Sequence, residues 1–140
     1  MVSLRSLIQL RKWLPQRLRQ QFPRPRQETV LPAELQGTDL RLGQKQELFA
    51  ILYAEHLVWL YEQGYRCRLG DVHATIGHKV DSLHYIKLAG DVNLFKDGDY
   101  ITSTEGHRKS GEKWESRHPL CRWGGRYNDG NHYEVMHGGR

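Results

Sequence analysis

From Leu42 to Gln63 the apolar and aromatic residues Leu48, Phe49, Ile51, Leu52, Tyr53, Leu57, Val58, Trp59, Leu60 and Tyr61 recur at a helical rather than an alternating period. The pattern predicts one long helix, ended by Gly64 as a C′ glycine. After it the rhythm changes. Residues 65–69 alternate and predict a strand, with a turn at Gly70 and Asp71, and further short strands are expected at 89–95, 99–102 and 131–136. "KDGD" at 96–99 carries a hairpin-turn signal. A helix followed by short antiparallel strands predicts the α+β class, as a small antiparallel sheet with helices packed on one side. Residues 103–118, "STEGHRKSGEKWESRH", read as a loop or short helix covering a cleft.

Within "GDVNLF" the period of two sends Val92 and Leu94 to one face and Asp91, Asn93 and Phe95 to the other. His84 lies seven residues before Asp91, so one unbroken strand would point the two side chains to opposite faces. A break at Gly90 or in "IKL" is expected to bring them together. In "DGNHYEV", residues 129–135, Tyr133 and Val135 read as inward-facing while His132 and Glu134 share the other face. Asp129 precedes them on a loop. Two imidazoles and a carboxylate suit Zn²⁺ with a fourth position left for water, and Asp129 is placed to take that water's proton. On spacing alone, hydrogen-bonded polar residues remain the alternative, because eight histidines in 140 residues give many chance pairings.

Charge divides the chain. The net charge is +5, and seven basic residues, Arg5 to Arg26, precede the first acidic one, Glu28; the other 14 basic residues face all 16 acidic ones. Residues 1–29 therefore read as a basic arm, partly helical through Leu4, Leu7, Ile8, Leu10 and Leu14 or else disordered, and residues 30–140 as the single folded domain. Lipid headgroups, cell-wall phosphate and nucleic acid are equivalent anionic partners for such an arm. No apolar run approaches the roughly 18 residues of a membrane span, and the N-terminus lacks the apolar core and small-residue cleavage site of a secretion signal. Cys67 and Cys121 have no C-x-x-C spacing and read as reduced, partly buried thiols. "GDVHATIGHK" misses the spacing of a phosphate loop, so no nucleotide is expected.

The candidate residues resemble a known pattern. Ser82, His84, Asp91, Asp129 and His132, in the context "LAGDVNLFKDGDYITSTEGHRKSGEKWES" and "WGGRYNDGNHYEV", are similar to the zinc peptidases that include D-alanyl-D-alanine carboxypeptidases, vancomycin-resistance dipeptidases and phage L-alanyl-D-glutamate endolysins. The family's pattern is S-x-H, an aspartate seven residues later, then D/E-x-x-H near the C-terminus. The resemblance runs from about residue 43 to 140 and leaves out the basic arm. It implies a Hedgehog/DD-peptidase-like fold, one Zn²⁺ held by His84, Asp91 and His132, and Asp129 as the general base. It also implies bacterial peptidoglycan as the partner, a monomer, and residence in the host cytoplasm until release to the cell wall.

In supporting roles the residue types offer Ser82 as a cap or as support for the ligands, Glu134 as the group orienting a ligand histidine or as a solvated residue, and His107 as a substrate contact or simply part of the covering segment. Trp123 beside Gly124 and Gly125 reads as cleft wall or core tryptophan. One departure stands out. Where the family commonly carries a Y-R pair after "GD", this chain has His73 and Ala74, which leaves Arg66, Arg68, Arg126 or His73 itself to supply the lost charge. A non-catalytic, metal-binding cell-wall module is the second reading that follows from it.

Overall fold

The structure is a computed structural model; it describes Pro15 and residues 26–140, so the helix expected around Leu4 to Leu14 lies outside the described residues. Helix α1, Leu42–Glu62, begins where the Arg41 N–H donates to Gln44 Oε1 at 3.0 Å. It buries Leu48, Phe49, Leu52, Tyr53, His56 and Leu60, a stripe of the three- and four-residue spacing that one helix face requires. Gly64, at φ +87°, ends it. The Gly64 N–H donates to Tyr61 O at 3.0 Å and the Tyr65 N–H to Leu60 O at 3.1 Å, so the last carbonyls are satisfied while Tyr65 folds back into the core.

Strand β1, Arg66–Leu69, follows, and β2, Ala89–Lys96, pairs with it from Arg66↔Phe95 to Leu69↔Val92. β3, Asp99–Ile101, returns along the other edge of β2 through Asp97 and Gly98, both at positive φ as a type I′ turn requires. β4, Cys121–Trp123, and β5, His132–Val135, complete an antiparallel sheet of five strands among the described residues, in the order β1-β2-β5-β4 with β3 on β2. Helix α2, Arg108–Glu115, precedes β4. The protein is thus α+β, with two helices against a small open sheet.

Both helices pack on one face of the sheet. Tyr133 of β5 meets His56 of α1 with ring centroids 5.0 Å apart and Trp114 of α2 at 5.9 Å, and Val92, Leu94 and Val135 are buried on the same side. By alternation the opposite face carries Asp91 and Asn93 of β2, His132 and Glu134 of β5, and Arg122, the register partner of Glu134 on β4. Among the described residues no helix is long and apolar enough to cross a membrane.

The structure adjusts the sequence reading at four places. β4 carries no three-residue signal of its own and exists through its pairing with β5. Residues 103–118 contain the expected short helix, as a 3₁₀ turn, Glu105–His107, followed by α2, but they build core rather than cover a cleft. Trp114 is fully buried, and Gly111 has no Cβ because Trp123 occupies that space. The break before Asp91 falls within "IKL", as expected, at Lys87 in the left-handed region at φ +60°, whereas Gly90, the other expected position, lies within β2. A Cβ at Gly90 would come within 2.7 Å of the Tyr53 ring, so glycine there serves close helix–sheet packing. Residues 26–29, counted with the arm, are docked on the helices: Arg26 pairs with Glu55 and Glu62, Thr29 N–H donates to Glu55 at 3.0 Å, and Glu28 meets Lys113 at 3.1 Å and Arg117 at 3.2 Å.

Candidate metal centre

Local chemistry sets each of the three donors. Ser82 Oγ accepts the His84 N–H at 3.3 Å and caps the 3₁₀ turn Leu83–Ile86, which buries Leu83 and turns His84 toward the sheet. Lys87 then redirects the chain into β2. Asp91 and His132 are register partners on neighbouring antiparallel strands, so their side chains leave the same face side by side. His84 is 2% exposed.

The three side chains converge on one another. His84 Nε2 and His132 Nδ1 lie 3.1 Å apart, His132 Nδ1 and Asp91 Oδ1 3.1 Å, and His84 Nε2 and Asp91 Oδ1 3.3 Å. Metal–ligand bonds of about 2.0–2.1 Å in tetrahedral geometry place neighbouring donors about 3.3 Å apart. The triangle therefore fits one face of such a tetrahedron, and the group can hold a metal ion with the fourth position open.

Without an ion, protons hold the group together. Burial works against charge on His132, yet the carboxylates of Asp91 and Glu134 outweigh it and raise its pKa to about 9. Burial likewise works against the charge of Asp91, but hydrogen bonds from His132 and His84 lower it to about 2. His132 Nε2–H donates to Glu134 Oε2 at 2.8 Å, leaving Nδ1 for a metal. Glu134 is 6% exposed and its bond fixes the orientation of the His132 ring.

The remaining candidates scatter. Asp129 is exposed on the loop before β5; its backbone oxygen accepts the His132 N–H at 3.3 Å, and its carboxylate makes no hydrogen bond among the described residues. His73 is exposed. His107 is buried, with Nδ1–H donating to Ser103 O at 3.0 Å, and packs beside Gly130. Trp123 is a core residue whose Nε1–H donates to Gly130 O at 2.7 Å, thereby fixing the loop that carries Asp129. Arg126 is paired with Glu115 at 2.6 Å, Arg66 lies over the Tyr61 ring at 5.4 Å, and Arg68 over the Phe95 ring at 4.4 Å.

Two features were missed. Arg122 shares the face of His132 and Glu134, donating to Tyr127 Oη at 3.3 Å; the alternation of "CRW" marks it only once β4 is known. His78 stacks on His84 with centroids 4.3 Å apart and donates to Asp71 Oδ2 at 2.8 Å. Its loop has no periodicity from which to read that contact. No family model, curated protein or solved structure matches the chain.

Proposed function

We propose that this protein is a zinc-dependent peptidase acting on the peptide stems of bacterial peptidoglycan, with a Hedgehog/DD-peptidase-like fold. The observation that carries the reading is the triangle of His84, Asp91 and His132 donors, 3.1 to 3.3 Å on a side, on the polar face of the sheet. The S-x-H, aspartate and D-x-x-H pattern supports the substrate class. Zinc bound there would supply a Lewis acid for the scissile carbonyl and a water of lowered pKa. His132 is kept in the tautomer that offers Nδ1 by its bond to Glu134. Asp129, three residues before His132, takes a proton from the attacking water and passes it to the leaving amine. Arg122, on the same face, is the guanidinium nearest in register to Glu134 and stands in for the charge absent at Ala74.

A second reading keeps the metal and the cell-wall peptide without turnover. It is favoured by the exposed carboxylate of Asp129, which makes no hydrogen bond among the described residues. Incubation with purified peptidoglycan, with and without a chelator, followed by mass analysis of the released peptides separates the two. Chelator-sensitive release of peptides that begin at D-Glu, or of free D-Ala, supports the peptidase and names the bond. Intact wall that nonetheless retains the protein supports the binding module.

A further inference from the structure

A ligand histidine is ordinarily oriented by a hydrogen bond from its second ring nitrogen, as His132 is by Glu134. His84 lacks that device. Its Nδ1 is buried and has no partner among the described residues, while its Nε2 faces the triangle. The ring must therefore be oriented by what lies against its faces. The His132 ring meets it at a 63° tilt with centroids 4.9 Å apart, on the side of Nε2, and the ring stacked on its face is His78, nearly parallel at 27° with centroids 4.3 Å apart.

His78 is itself held from several sides. Its Nε2–H donates to Asp71 Oδ2 at 2.8 Å, its backbone N–H donates to Tyr85 Oη at 2.8 Å, and the Tyr85 hydroxyl donates to its carbonyl at 2.8 Å. Asp71 in turn accepts the Asp91 N–H at 2.9 Å through its backbone oxygen, and the Ala74 N–H donates to His84 O at 3.4 Å. The loop from Asp71 to His78 thus ties together the strand that carries Asp91 and the turn that carries His84.

We infer that His78 is the positioning residue for the metal ligand His84, its ring face doing what a hydrogen bond at Nδ1 does elsewhere, with Asp71 and Tyr85 fixing His78. The inference rests on the metal-binding reading of the triangle. It requires an aromatic plane at position 78, and not an imidazole. The hydrogen bonds of Tyr85 go to the backbone of residue 78 and survive a change of side chain, while its ring also meets the imidazole edge-on at 6.0 Å, a contact that an aromatic replacement can keep.

The test is zinc affinity, measured by competition with a chromophoric chelator, together with the visible spectrum of the Co²⁺-loaded protein. His78→Ala is expected to weaken zinc roughly 10- to 100-fold and to change the Co²⁺ spectrum. His78→Phe is expected to restore most of the affinity and the wild-type spectrum. Equal affinity in wild type and His78→Ala overturns the inference while leaving the metal centre intact. A His78→Phe protein as impaired as His78→Ala also overturns it, assigning the role to the polar contact with Asp71. Failure of the wild type to bind zinc removes the metal reading and this inference with it.

Discussion

His132 and Tyr133 are neighbours on β5 and point to opposite faces of the sheet, into two polar clusters that work in contrary ways. Behind the sheet, Arg117 Nε–H donates to His56 Nδ1 at 3.1 Å, His56 Nε2–H to Ser110 Oγ at 2.9 Å, and Ser110 Oγ meets Tyr133 Oη at 2.7 Å. Both ring nitrogens of His56 and both hydroxyls there find a partner of the opposite kind. Burial, with Arg117 and Lys113 adding to it, holds His56 well below the ordinary histidine pKa. On the front face, three groups able to donate electron pairs point at one another, and two carboxylates hold His132 charged against the pull of burial. The buried His56 beside a hydroxyl thus belongs to the core, whereas His84 and His132 converging on a carboxylate form a group that could hold a cation. What separates them is the direction of the lone pairs.

The largest effect that would break this contrast is on metal affinity. His84→Ala should weaken zinc on the order of a thousandfold, because a protein ligand is removed outright. His56→Phe should leave zinc affinity unchanged and instead cost roughly 1–3 kcal/mol of stability, since Arg117 and Ser110 lose their buried partner. Chelator competition and denaturant unfolding of both variants read the two quantities. Equal zinc loss in both would erase the distinction between the clusters.

Next in size is turnover. Asp129→Ala should keep stoichiometric zinc and lose peptidoglycan cleavage by roughly 10²- to 10⁴-fold, as expected for removal of a general base. Unchanged cleavage rates would take Asp129 out of the chemistry.

The pH response sharpens the contrast further. His132 is raised from an ordinary 6.5 to about 9 in the fold, so its protonated form stabilises the metal-free protein fully below about 6.5, and that contribution is lost as pH rises through about 9. A metal must displace the same proton. Zinc affinity should therefore rise about tenfold per pH unit from about 6.5 to about 9 and flatten above. Glu134→Gln should move the break to lower pH. An affinity flat across this window would contradict the charge assigned to His132.

The smallest effect concerns packing. Gly90→Ala puts a Cβ within 2.7 Å of the Tyr53 ring and should cost about 1–3 kcal/mol, seen as a shift in the denaturant midpoint. No shift would mean that Tyr53 yields freely.

What could be read in advance follows the range of the physics. Helix α1, its Gly64 stop and the Asp97–Gly98 hairpin are local, set by residues within a turn or two, and were legible as such. So was the sharing of one face by His132 and Glu134, which needs only the period of two. β4 was not legible, since three residues become a strand only against β5. Gly90 and Gly111 look like turn residues or helix breakers in one dimension, yet each makes room for a ring from a distant element, Tyr53 and Trp123. His78 belongs with them. Its stacking on His84 needs Asp71, Tyr85 and the turn at Ser82 all in place, and no window of sequence contains that arrangement.

The most direct measurement is zinc content by native mass spectrometry of the full chain after exchange into metal-free buffer and addition of a slight excess of Zn²⁺. One ion per wild-type chain, absent from His84→Ala and His132→Ala and retained in His56→Phe, is the predicted result. A wild-type chain that carries no zinc, or that carries it equally in all three variants, would contradict the metal centre.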